Sequence, residues 1–267
     1  MKPQYLDWLM YEKEVITLEG KQITVYELVI QDDEDILNSW SKHLREHYCA
    51  DSEIDILCKG LGVDRKEYLR EIKFPDISIR PGPSVRSGDF TEILVADYVQ
   101  YVLNYIVPRT RYDRKVNKNS STMGSDLIGY KCGEKIGSND ELIVFEVKAT
   151  AREVLPSSEA RLQKAVDDSN KDVVRLAETL NAVVQRLIDR GDYEEVERVQ
   201  RFQNASDRPY RKTYAAAAVH SNMSYSEIVL KNVSTLRHAD PNLNLIVIRC
   251  DKLMNFIHDM YRRACEC

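Results

Sequence analysis

Along the chain the spacing of apolar and polar positions changes several times, and each change predicts an element. EVITLEG and QITVYELVI read as strands joined at Gly20-Lys21, a hairpin. In QDDEDILNSWSKHLREHYC, Ile36, Trp40 and Leu44 recur at helical spacing, and DRKEYLREI predicts a further helix. PDISIRPGPSVRSGD carries three prolines and two glycines and sets a boundary near residue 85. DFTEILVADYVQYVLNYIV then predicts a long helix with Ala96, Val99, Leu103 and Ile106 on one face. RTRYDRKVNKNSSTMG is a basic strand or loop, SDLIGYK a short strand, KCGEKIGSND a turn, and ELIVFEVKAT the antiparallel return strand. Residues 157–205 read as helical, with Gly191 as a C-cap. TYAAAAVHS and LNLIVIRC are buried strands, YSEIVLKNVS is a helix, and DKLMNFIHDMYRRAC closes the chain as a helix. From residue 86 the order is α-β-β-β-α-β-α-β-α. That predicts a mixed α/β fold, residues 86–267, whose central sheet is flanked by helices. Residues 1–85 form a smaller α+β region.

The return strand poses a chemical question. Leu142 to Phe145 are apolar, yet the strand ends in Glu146 and Lys148, which share one face about 6.6 Å apart while Val147 points the other way. Burying an acid and an ammonium is costly unless they pair or hold a metal. Antiparallel pairing across the turn at 131–140 brings Asp126 of GSDLIG beside Glu146. Two close carboxylates repel unless a cation neutralises them, and Mg²⁺ prefers such hard oxygen ligands. A neighbouring lysine then orients or deprotonates water, or stabilises charge on a phosphate. Glu92, in the preceding long helix, adds a third acid. Taken singly, each has a plainer explanation: Asp89 and Glu92 as a capping box at the start of that helix, Asp126 as a turn residue beside Gly124, Glu146 and Lys148 as an exposed ion pair. The joint order of helix acid, strand acid and Glu-x-Lys ending the next strand points instead to metal-dependent phosphodiester chemistry.

The bulk numbers leave room for this. A chain of 267 residues with a net charge of -5 does not coat nucleic acid over its whole surface, but a local basic groove is compatible with it. No apolar run approaches a membrane span and the N-terminus lacks a signal pattern, so a cytoplasmic protein is expected. The six cysteines form no CxxC pair and read as free thiols. The His43/His47 pair near Cys49 and the terminal Cys-x-Cys offer metal-ligand types, but a polar helix face and a frayed tail are the plainer readings. Arg109, Arg111, Arg114, Lys115 and Lys118 crowd ten residues ahead of Asp126. With Arg152 and Arg161 they are candidates for phosphate contacts that read backbone, not sequence.

GSD (124–126) and FEVKAT (145–150) resemble the PD-(D/E)xK nuclease superfamily, with Gly124-Ser125 in place of the naming proline. More widely, GDFTEILVADY, GSDLIG, FEVKATAR and RLQKAVDDSNKD resemble the HamA family, nuclease subunits of the Hachiman antiphage system, from about residue 86 onward. The resemblance implies a restriction-endonuclease-like core that cuts DNA with Mg²⁺, for which Mn²⁺ can substitute. Asp126 and Glu146 would be metal ligands, Lys148 the catalytic lysine, and Glu92 an acid contacting the metal or its water. It also implies a supporting polar residue on the helix after the Lys148 strand, with Gln163 and Lys164 as candidates. The implied partner is a superfamily 2 helicase. Charge alone suggests that the acidic first third, including Asp32 to Asp35, binds a protein or guards the groove. The alternatives are a restriction or repair endonuclease of the same superfamily, and a non-catalytic DNA-binding or interaction protein with a structural ion cluster.

Overall fold

The period-two pattern of the strands sorts their side chains between two apolar layers, and this sorting fixes the site. The computed structural model describes residues 1–133 and 135–267. Its elements are β1 (Leu9–Ile16), β2 (Gln22–Leu28), α1 (Glu34–Tyr48), α2 (Asp51–Leu61), α3 (Arg65–Tyr68), α4 (Gly82–Asp97), β3 (Leu127–Lys131), β4 (Glu141–Thr150), α5 (Arg161–Arg190), α6 (Tyr193–Gln200), β5 (Arg211–Ser221), α7 (Glu227–Leu230), β6 (Asn244–Cys250) and α8 (Leu253–Ala264). The strands form one six-stranded mixed sheet in the order β1-β2-β6-β5-β4-β3. The pairs β1/β2 and β3/β4 are antiparallel and the three central pairs are parallel. This mixed α/β architecture is consistent with a restriction-endonuclease-like core.

Ile143, Phe145 and Val147 join the layer containing α1, α4 and α8, whereas Leu142 and Val144 join the layer under α5. Four consecutive alanines of β5, Ala215 to Ala218, are fully buried between the layers. Their small side chains let the helices approach the sheet closely, and Ala216 and Ala218 lie in register with Glu146 and Lys148. The neighbouring strand therefore presents only methyl groups beside the two charged residues.

Several sequence expectations change. The long helix starts at Gly82, not near Asp89, because Pro83 falls in its first turn, where a missing N–H costs no helical hydrogen bond. Glu92 is consequently in the third turn, and Asp89 is no cap: it accepts from Tyr48 and Lys115 in the interior. Of the two readings of the basic segment after the helix, strand or loop, the loop holds: it is a strap over residues 107–126, attached at its start by the bridge of Ile106 to Tyr130. The helix expected in YSEIVLKNVS is only the single turn α7. The sheet also crosses the expected boundary at residue 85. β2 pairs with β6 from Ile23–Leu245 to Leu28–Cys250, so the N-terminal strands extend the same sheet. The aromatic residues Tyr5, Trp8 and Trp40 pack in one layer with Phe90 and Ile257.

Candidate active site

The site forms where β3 and β4 emerge at one end of the sheet. Leu127 pairs with Phe145, and one step further Asp126 meets the β4 backbone, its Oδ2 accepting from Val147 N at 2.9 Å. Asp126 follows the parity of Ile128, and Glu146 that of Val144, so both point to the α5 side. Glu146 is almost fully buried, and its Oε1 accepts from Lys148 Nζ. Burial and the charge of Asp126 push the Glu146 carboxyl up to about 8, against the pull of Lys148. For Lys148 burial works against the charge, but Glu146, Asp126 and Asp168 outweigh it and raise its pKa above the ordinary lysine value.

Glu92 reaches the same place from α4. Its Oε2 accepts from the Tyr112 hydroxyl at 2.6 Å and lies 3.2 Å from Arg111 Nε. Burial and Asp126 push Glu92 up to about 8 as well. Arg111 Nη2 is 3.3 Å from Asp126 Oδ1, so one guanidinium spans the two acids. The three carboxylates thus border one cleft without all converging within 4.8 Å of one another, and Glu92 faces Asp126 across an arginine. They open into a cleft of about 820 Å³ that also includes Arg152, Arg161, Lys171 and Arg175.

The basic strap is tied to the body of the protein by ion pairs. Each of its five cations is paired: Arg109 with Asp97 at 2.8 Å, Arg111 with Glu92 and Asp126, Arg114 with Glu53 at 2.9 Å, Lys115 with Asp89 at 2.6 Å and Lys118 with Asp76 at 2.7 Å. The acids lie 12 to 61 positions away in sequence for Arg109 and Arg114, which is why the segment alone looked unpaired. The cleft's own exposed cation from the candidates is Arg152. Arg161 lies beside it, donating from Nε to Ala149 O at 3.0 Å. The acidic first third meets the strap through Glu53 and Asp76. In the acidic run itself, Asp33 caps α1 and Glu34 pairs with Arg263 of α8.

Neither proposed helix support reaches the cleft. Gln163 bonds Asp167 and Ser234, and Lys164 lines a separate pocket with Leu155 and Val229. The residue at Lys148 is Asp168, whose Oδ2 is 3.0 Å from Nζ. Burial opposes its ionisation, but Lys171 and Lys148 hold its pKa low. One turn further, Asp172 is fully buried and pairs with Arg175 at 2.9 Å; burial pushes its pKa up, and the nearby Asp126 adds to this. A signal was present: Ser169 and Asp172 are polar residues within the apolar stripe of Leu162, Ala165, Val166 and Leu176, and the partly exposed Asp168 borders it.

For a divalent cation the donor chemistry fits at Asp126 and Glu146. Both supply hard oxygens at one edge of an open cleft, and Glu146 is a buried acid whose ionisation its surroundings resist, a cost that a bound cation would relieve. All six cysteines are free, and among the described residues no helix is long and apolar enough to cross a membrane. A family model described as HamA matches residues 3–264 of the 267-residue chain. No curated protein matches it.

Proposed function

This chain belongs to the HamA family of Hachiman defence proteins, and from that premise we propose that it is a metal-dependent DNA nuclease, largely indifferent to sequence, that acts with a helicase subunit. The observation that carries the reading is the joint placement of Asp126, Glu146 and Lys148 at the mouth of one cleft. Asp126 and Glu146 would hold Mg²⁺ or Mn²⁺, with Glu92 as the third acid bordering it. When bound, the cation supplies Lewis-acid charge at the scissile phosphate and lowers the pKa of a coordinated water.

The protein's own groups divide the remaining work. Lys148 is held protonated by Glu146 and Asp168, so it serves as a hydrogen-bond donor to a phosphate oxygen where negative charge develops, and not as the base. Asp168 orients that ammonium from α5. Val147 N–H fixes the Asp126 carboxylate, and Arg111 offsets the charge of Asp126 and Glu92. Arg152 and Arg161 on the cleft rim suit the DNA backbone, which carries no sequence information.

A structural ion cluster draws on the same pairs, but such a cluster needs no cleft, and this one opens into a cleft of about 820 Å³ whose lining includes Arg152, Arg161, Lys171 and Arg175. Restriction-type chemistry differs in its products. Digestion of one long linear DNA with Mg²⁺ and the helicase partner is expected to give a continuous smear. Discrete, reproducible fragments would favour a sequence-reading restriction enzyme.

A further inference from the structure

Apart from the cleft, one cluster among the described residues has ligand chemistry of its own. His43 and His47 lie four residues apart on one face of α1, and Asp97 ends α4 beside them. Among the described residues, these three are the group of His, Cys, Asp or Glu side chains whose ligand atoms lie within 4.8 Å of one another. His47 Nε2 is 3.2 Å from His43 Nε2, and His43 Nε2 is 3.0 Å from Asp97 Oδ1.

No placement of protons gives each of these contacts a two-centre hydrogen bond of its own. His43 Nε2 faces both an imidazole nitrogen and a carboxylate oxygen. If it carries the proton, that one N–H must serve Asp97 and His47 together. If it does not, its lone pair points at the carboxylate. If both nitrogens are protonated, two N–H groups collide. An ion among the three atoms resolves every contact at once. Two nitrogens bound tetrahedrally at zinc distances are separated by about 3.3 Å, close to the observed gap.

We infer that His43, His47 and Asp97 form a second metal site, for a first-row transition dication such as Zn²⁺ and distinct from the cation of the cleft. Two imidazoles and one carboxylate select such a metal over Mg²⁺, which prefers all-oxygen ligands. The surroundings hold the ligands in place. Tyr5 donates to Asp97 Oδ2 at 2.8 Å, and Arg109 Nη2 donates to Oδ1 at 2.8 Å, as outer hydrogen bonds do around ligating carboxylates. Arg109 also opposes a cation, so Asp97 must counter both charges. His43 is about one-quarter exposed, which gives an ion and a completing water a route in. The site joins α1, the end of α4 and the start of the strap. His47 lines the same small cavity as Glu92, Arg111 and Asp126, so the ion would brace the wall that carries Arg111.

The site is tested with Co²⁺ as a spectroscopic probe on the full chain in excess Mg²⁺, followed by competition with Zn²⁺. Wild type and Glu146→Gln are expected to bind one equivalent with the strong visible absorption of a low-coordinate Co²⁺ ion, displaced by Zn²⁺. His43→Gln and His47→Gln are expected to weaken binding at least about tenfold. His43 is partly exposed, so its variant decides the matter if the His47 variant does not fold. The inference is overturned if folded wild type shows no such spectrum, if His43→Gln retains it, or if Glu146→Gln abolishes it and so assigns the ion to the cleft. Because the readout is binding, it is independent of whether the chain cuts DNA.

Discussion

Glu146 and Lys148 show how far single residues could be read in advance. Strand parity alone placed them on one face, opposite Val147, and the antiparallel register carried Asp126 to the same edge. Mg²⁺ is therefore expected to raise the melting temperature of the wild type, since binding to the folded state alone stabilises it, and to leave Glu146→Gln unmoved. Calorimetry with and without the ion checks this; equal shifts in both proteins would remove Glu146 from the cation site. His220 provides a separate test of burial. Desolvation, helped by Arg161, lowers its pKa to about 4 from an unfolded value near 6.5. The stability contributed by the neutral ring is full above pH 6.5 and is lost as pH falls towards 4. A gap of roughly 2.5 pKa units corresponds to about 3 kcal/mol. His220→Gln should flatten that acid limb in denaturant titrations, and an unchanged limb would contradict the assignment.

At the scale of elements, the strap and α5 are where sequence reading fell short. Local composition showed five cations in ten residues, but their partners come from α2, α4 and the turn before α4, and no local pattern reveals such pairings. Lys115 and Asp89 are both nearly inaccessible. Lys115→Met leaves the Asp89 carboxyl buried without its cation, and a loss of about 3–5 kcal/mol is expected. Asp89→Asn combined with Lys115→Met should recover much of it, since a neutral pair has no charge to compensate. Chemical denaturation of the single and double variants measures the coupling, and additive losses would mean that the strap is not held this way. On α5 the apolar stripe was legible, but the polar residues interrupting or bordering it were the informative ones: Asp168 reaches Lys148, whereas Gln163 turns away to Ser234.

At the scale of the molecule, residues 1–85 complete the sheet and supply much of one apolar layer, which the proline-rich stretch concealed by looking like a linker. Removal of residues 1–85 should yield a chain without a cooperative melt, because β6 loses its partner β2 and α8 loses its packing against α1. A folded 86–267 fragment with a sharp transition would show that the two parts are independent.

The most direct test of the whole account is cleavage of supercoiled DNA in Mg²⁺ or Mn²⁺, with the helicase partner and its nucleotide present, by wild type, Glu146→Ala and Lys148→Ala, each verified as folded. The account predicts nicking and degradation by wild type and the loss of at least 100-fold in rate, on the order of what one oxyanion-type contact contributes, in Lys148→Ala, with no measurable cutting by Glu146→Ala. Undiminished cutting by either variant, or none by wild type under these conditions, would contradict it.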